Sequence, residues 1–169
     1  AFWFVRTTAA LCLPQHEVST RTAWLVRFHE SAYDDVSDST SRRFASAIVS
    51  QEELLAILEL LDPRRPDLWT PFFSALTLPA DAIERAGFEL LWNQLKGSSS
   101  RTLPERVQER MEIALSLMRA RGHGAALHAL EELFMHHRKR LSESLENAFE
   151  STLNVLEERA KKGALSSTT

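Results

Sequence analysis

The chain is poor in the residues that mark most small-molecule chemistry. It has five glycines in 169 residues, none arranged as a phosphate-cradling loop, and it contains no nucleophile elbow and no HExxH pair. Its single cysteine, Cys12, excludes an internal disulfide and a cysteine-built metal centre. With no histidine or basic cluster beside it, Cys12 reads as a small apolar residue rather than a reactive thiol. No apolar run approaches the ~18 residues of a membrane-crossing helix, so a soluble or peripheral protein is expected. Lysine stands only at positions 96, 139, 161 and 162, the other basic residues being arginine. With 20 basic and 23 acidic residues the net charge is −3. That weighs against a nucleic-acid binder, which must neutralise several phosphates, and favours protein partners.

What is present is a repeated helical pattern. Three eight-residue windows, Leu54 to Leu61, Phe88 to Leu95 and Ala126 to Leu133, are apolar at their first, fourth, fifth and eighth positions, which is one face of an α-helix. They start 34 and then 38 residues apart, and such periods point to stacked supersecondary units. Ser50 followed by Glu53 has the form of a capping box before the first window. Asp62, Pro63 and Pro66 stop that helix, because proline lacks the amide donor and clashes with the preceding turn. A short helix is expected over residues 67–77, and a longer one runs from Pro79 through Lys96. After the GSSS turn at 97–100, Leu103-Pro104 leads into a helix through Val107, Met111, Ala114, Leu117 and Met118. Gly122 and Gly124 break it before the third window.

The pattern divides the chain into three regions. Residues 1–41 form an aromatic arm, a short helical stretch with Trp24, Leu25 and Phe28, and an acidic linker at 34–41. Residues 42–139 hold three helical hairpins, and residues 140–169 a long amphipathic helix, with Gly163 as its C-cap, and a disordered tail. The expected fold is all-α: a short right-handed solenoid of about three hairpins. The run Phe2-Trp3-Phe4-Val5 is too apolar to remain in water and too short to span a bilayer, so it docks either on the chain's own helices or on a neighbouring subunit or membrane interface. The final helix either caps the exposed end of the array or reaches a partner. Residues 1–16 contain no acid and have the character of a mitochondrial import sequence or of the segment next to one, and equally of an ordinary docking segment.

The polar residues suggest little chemistry. His123, His128, His136 and His137 invite a metal reading, but helical ligands need i, i+3 or i, i+4 spacing with carboxylate or cysteine company, and Arg138, Lys139 and Arg140 oppose a cation. The basic run is expected to be a solvated cluster, and Glu52-Glu53 and Glu131-Glu132 solvated charge beside apolar faces. Trp69, Phe72, Phe73, Phe88 and Trp92 are expected in the core. Catalytic, cofactor-binding and metal-binding residues are not expected.

The proline-opened, paired helices over residues 42–139 resemble pentatricopeptide-type repeats. The Ala-led segment Ala126-Leu127 through Leu133 and, with Trp92 in the aromatic place, Phe88 through Leu95 carry the likeness; the usual opening Tyr-Asn and closing Met are absent. Such repeats most often read single-stranded RNA through polar ladders on their first helices, whereas here that position holds Trp69, Phe72 and Phe73. Size, Pro66-Asp67 and Arg121-Gly122 are similar to the small pentatricopeptide-like subunits of euglenozoan mitochondrial ATP synthases. The resemblance implies a mitochondrial, non-catalytic accessory subunit in a larger assembly, attached to the catalytic sector of an ATP synthase. Protein subunits are then the partners, without a small-molecule substrate or cofactor, and Phe2, Trp3, Phe4, Leu145, Phe149 and Leu156 are the expected interaction residues. An organellar RNA-binding repeat protein is the alternative.

Overall fold

The computed structural model describes residues 45–167, which are helix, turn and loop throughout. Phe2 to Val5, Cys12, Trp24, Leu25, Phe28, the acidic linker, Phe44 and the last two residues lie outside the described residues, as do the side chains of Asp67 and Leu68. The fold is all-α. The chain divides into two compact units between Leu78 and Pro79, so the second expected hairpin, 67–96, is shared between them.

The described part of the first unit contains α1 (Gln51–Leu60) and α2 (Pro66–Ala75). Ser50 caps α1 by accepting the Glu53 amide at 3.2 Å. The Glu53 carboxylate reaches back to the Val49 amide at 3.5 Å, one residue earlier than in the usual reciprocal box. That engagement accounts for Glu53 being only 2 % exposed where the sequence pattern predicts a solvated acid. The first window is buried along its whole face: Leu54, Ile57, Leu58 and Leu61 are at most 1 % exposed. Beyond it, Asp62 shapes the turn. Its side chain accepts the Arg64 amide at 2.9 Å and its carbonyl accepts Trp69 Nε1–H at 3.0 Å. Pro66 occupies the first helical position of α2, where its missing N–H leaves no bond unmade.

The second unit comprises α3 (Ala80–Lys96), α4 (Glu105–Arg121), α5 (Leu127–His137), one 3₁₀ turn at Arg138–Arg140 and α6 (Glu143–Ser167). α3 and α4 are antiparallel and unusually close. A Cβ on Gly87 would lie 2.8 Å from Met118 Cγ and 3.4 Å from the Ala114 carbonyl oxygen, so only glycine permits this approach without a shift. α4 runs parallel to α6: Arg119 donates to the Ala148 carbonyl at 3.2 Å and to Thr152 Oγ1 at 3.0 Å, and Gly122, further along, abuts Leu156. α5 and α6 are antiparallel, with Phe134 stacked on Phe149 at 5.3 Å and Arg138 paired to Glu146 at 2.7 Å. α4 is thus covered on more than one side. Ile113 and Leu115 are buried together with the expected Val107, Met111, Ala114, Leu117 and Met118, a distribution characteristic of an interior helix.

α6 corrects one expectation. Gly163 does not end the helix, which continues to Ser167. Every residue from Lys161 to Ser166 is exposed, and a Cβ on Gly163 would meet nothing within 4 Å. In an open helix interior glycine costs helix stability relative to alanine. Gly163→Ala is therefore expected to strengthen the last turns by about 0.5–1 kcal/mol, slowing amide exchange of residues 160–167 by roughly two- to five-fold in hydrogen–deuterium exchange.

Candidate functional site

Two polar anchors tie α3 to α5, one at each end. At the N-terminal end stands Glu84, 1 % exposed. Its Oε1 accepts the amides of His123 at 3.1 Å and Gly124 at 2.9 Å, and its Oε2 accepts the Ala126 amide at 2.9 Å. These are amides of the loop and N-cap residue just before α5, where a negative charge is favoured by the helix dipole. The loop conforms to the carboxylate: Gly124 takes φ +104°, and a Cβ on Gly122 would lie 2.7 Å from Glu84 Oε1. Arg159 of α6 holds the outer side of the loop by donating to the Gly122 carbonyl at 2.9 Å.

At the C-terminal end the anchor is Arg140, just beyond α5. Its guanidinium donates to the carbonyls of Ser98 and Ser100, in the linker between α3 and α4. It also meets His137 Nδ1 at 3.1 Å. Arginine has no acceptor, so in this contact His137 Nδ1 is the accepting atom. Burial, then the nearby charges of Arg140 and His136, hold the His137 pKa below its ordinary value. The basic run is consequently more than a solvated cluster: Arg140 is a tie to the α3–α4 linker, and Arg138 binds Glu146 while lying 5.4 Å from the Phe134 ring centroid.

Between the anchors the two helices leave an open groove of about 620 Å³. Phe88 and Trp92 of α3 face Leu133, Met135 and the paired rings of His136 and His137 on α5. Trp92 is 48 % and Met135 69 % exposed. The core reading of Trp92 is corrected here for a physical reason. The buried face of α3 runs through Ile83, Ala86, Gly87, Leu90, Leu91 and Leu95, whereas the second window, starting at Phe88, straddles that face and the groove. Phe88 is half-buried, while Trp69, Phe72 and Phe73 are buried as expected.

Of the expected interaction residues, Leu145, Phe149 and Leu156 are 3 %, 1 % and 0 % exposed. The contacts of Phe149 with Phe134 and of Leu156 with the Gly122 loop give them an inward packing role. Phe2, Trp3 and Phe4 lie outside the described residues. Among the described residues no group of three or more His, Cys, Asp or Glu side chains is placed to hold a metal, and no helix is long and apolar enough to cross a membrane. His128 pairs with Glu132 at 3.2 Å on the α5 surface. Sequence reasoning misses Glu84, yet an acid on the core-facing side of a helix that also carries Ile83 and Ala86 is a readable signal of a buried carboxylate. No protein-family model, curated protein or solved structure matches the chain.

Glu84→Gln replaces one acceptor by a donor facing an amide, and is expected to cost about 1–3 kcal/mol in urea unfolding, with Glu84→Ala costing more because all three amides lose their partner. A second outcome concerns pH. The unfolded chain protonates His137 near the ordinary 6.5 while the folded chain resists it, so the stability contribution is present above that value and is lost as pH falls through it towards the lower folded pKa. Thermal scans between neutral pH and about pH 5 should show a falling midpoint, and a shallower fall in His137→Asn.

Proposed function

We propose that the chain is a non-catalytic accessory subunit that docks other proteins of a larger assembly. The observation that carries the reading is the open groove with a half-exposed tryptophan. An exposed Trp that shares one groove with an exposed Met and apolar lining forms a contiguous patch of the kind that marks interaction sites, where Trp is enriched among the residues dominating binding energy. The helical stacking of the second unit, with α3 antiparallel to α4, α5 antiparallel to α6 and α4 parallel to α6, supports an all-α interaction scaffold. The buried acids support a structural rather than acid/base role: both oxygens of Glu84 accept backbone amides, and at 1 % exposure the carboxylate is closed to a substrate.

The more specific reading is a mitochondrial subunit attached to the catalytic sector of an ATP synthase. It rests on the likeness over residues 42–139, on Pro66-Asp67 and on Arg121-Gly122. Mass spectrometry of the native complex carrying this chain, isolated at high salt, tests both levels. Recovery in fixed ratio with ATP synthase subunits is the expected result, and recovery with a different protein assembly would retain only the general reading. Isolation alone, or with RNA that salt strips away, would overturn it in favour of an RNA-binding repeat protein.

A further inference from the structure

Resting on the docking reading, we infer that the α3–α5 groove receives an amphipathic helix of a neighbouring protein, apolar along the side that enters between Trp92 and Met135 and carrying carboxylates at the end that meets Arg140. Three observations lead there. First, the described surface is helical and offers no sheet edge, so an incoming segment must satisfy its own backbone, and a helix laid in a groove does so. Second, the groove has the profile of a side-chain receptor: Phe88 and Leu133 form its apolar floor, and the adaptable thioether of Met135 stands at its rim, 69 % exposed.

Third, the charges are lopsided. Arg140 spends its bonds on two carbonyls and a neutral imidazole, acceptors that leave its formal charge uncompensated. Lys96 stands one turn beyond Trp92 on the same face of α3, exposed, in the last turn of the helix. Among the described residues, neither cation has a carboxylate within ion-pair distance. The acid that lines the groove, Glu132, stands eight residues before Arg140, in the middle of α5, with His128 at 3.2 Å. A partner carboxylate at the Arg140 end therefore finds a positive potential with no internal competitor, which fixes the direction in which the helix lies.

The test places the photo-crosslinker p-benzoyl-phenylalanine at position 135 of the full chain in its native assembly, with the exposed α6 position 158, outside the groove lining, as control, and maps the products by mass spectrometry. Capture from position 135 of a helical segment bearing Asp or Glu, with yield reduced roughly three- to ten-fold by Lys96→Glu and also by Trp92→Ala, is the expected result. Lys96 is exposed and takes no part in the fold's internal ties, so its substitution separates loss of docking from loss of folding. Absence of capture from position 135 while the chain remains in a salt-resistant complex would overturn this inference and leave the docking reading standing. Capture of a basic segment, of RNA or of a second copy of this chain would overturn it too. A chain that joins no complex would refute the docking reading itself.

Discussion

The second unit depends on a buried carboxylate that, among the described residues, has no cation in ion-pair contact. Glu84 leaves water almost completely, and that transfer is unfavourable unless its lone pairs are used. Here they are used by three amides of one short loop, whose own burial would otherwise leave donors unpaired. Each group resolves the other's desolvation. The consequence extends beyond the loop, because the glycines that let the amides converge also let Leu156 and Ala160 of α6 approach it. One carboxylate thus couples α3, the α4–α5 turn and the final helix.

The groove is a product of the same economy of contacts. α3 and α4 meet closely because Gly87 removes a side chain at their crossing, and α5 and α6 meet through stacked rings. α3 and α5 are instead tied at their ends, by Glu84 and by Arg140. Helices pinned at both ends by polar anchors, rather than by interdigitated side chains along their length, leave room between them. The half-exposed Trp92 and the largely exposed Met135 are the residues that this spacing strands.

Much of the helical order is readable from proline, glycine and apolar periodicity. Leu54, Ile57, Leu58 and Leu61 show why: one face, one buried stripe, and a Ser50–Glu53 cap that announces the start. Such reading fails where a residue serves two environments. In α3 the apolar set is wider than one stripe, so a template fitted from Phe88 assigns Trp92 to the core although Leu90 and Leu91 fill it. In α6 a glycine near the end of the pattern suggests a stop, while the helix continues through it unsupported by packing. Leu145, Phe149 and Leu156 are legible as one apolar face; whether such a face meets its own chain or another is decided by tertiary partners such as Phe134, which lies outside the α6 pattern. The burial of Glu84 is readable from its place beside Ile83 and Ala86, but its ligands and those of Arg140 are backbone atoms, and a backbone amide or carbonyl leaves no mark in a sequence.

The exposed end of α6 has a mechanical meaning. From Lys161 to Ser166 the helix has left the packed surface, and at ~1.5 Å per residue it projects about 9 Å as a rod. A rod transmits orientation where a flexible segment transmits only proximity. Anything joined at that end, whether a fluorophore, an affinity handle or a neighbouring polypeptide, inherits a bearing set by the contacts of Thr152 and Leu156 with α4 and the loop beyond it. Reporters attached there would accordingly register rotation of the second unit as well as its position.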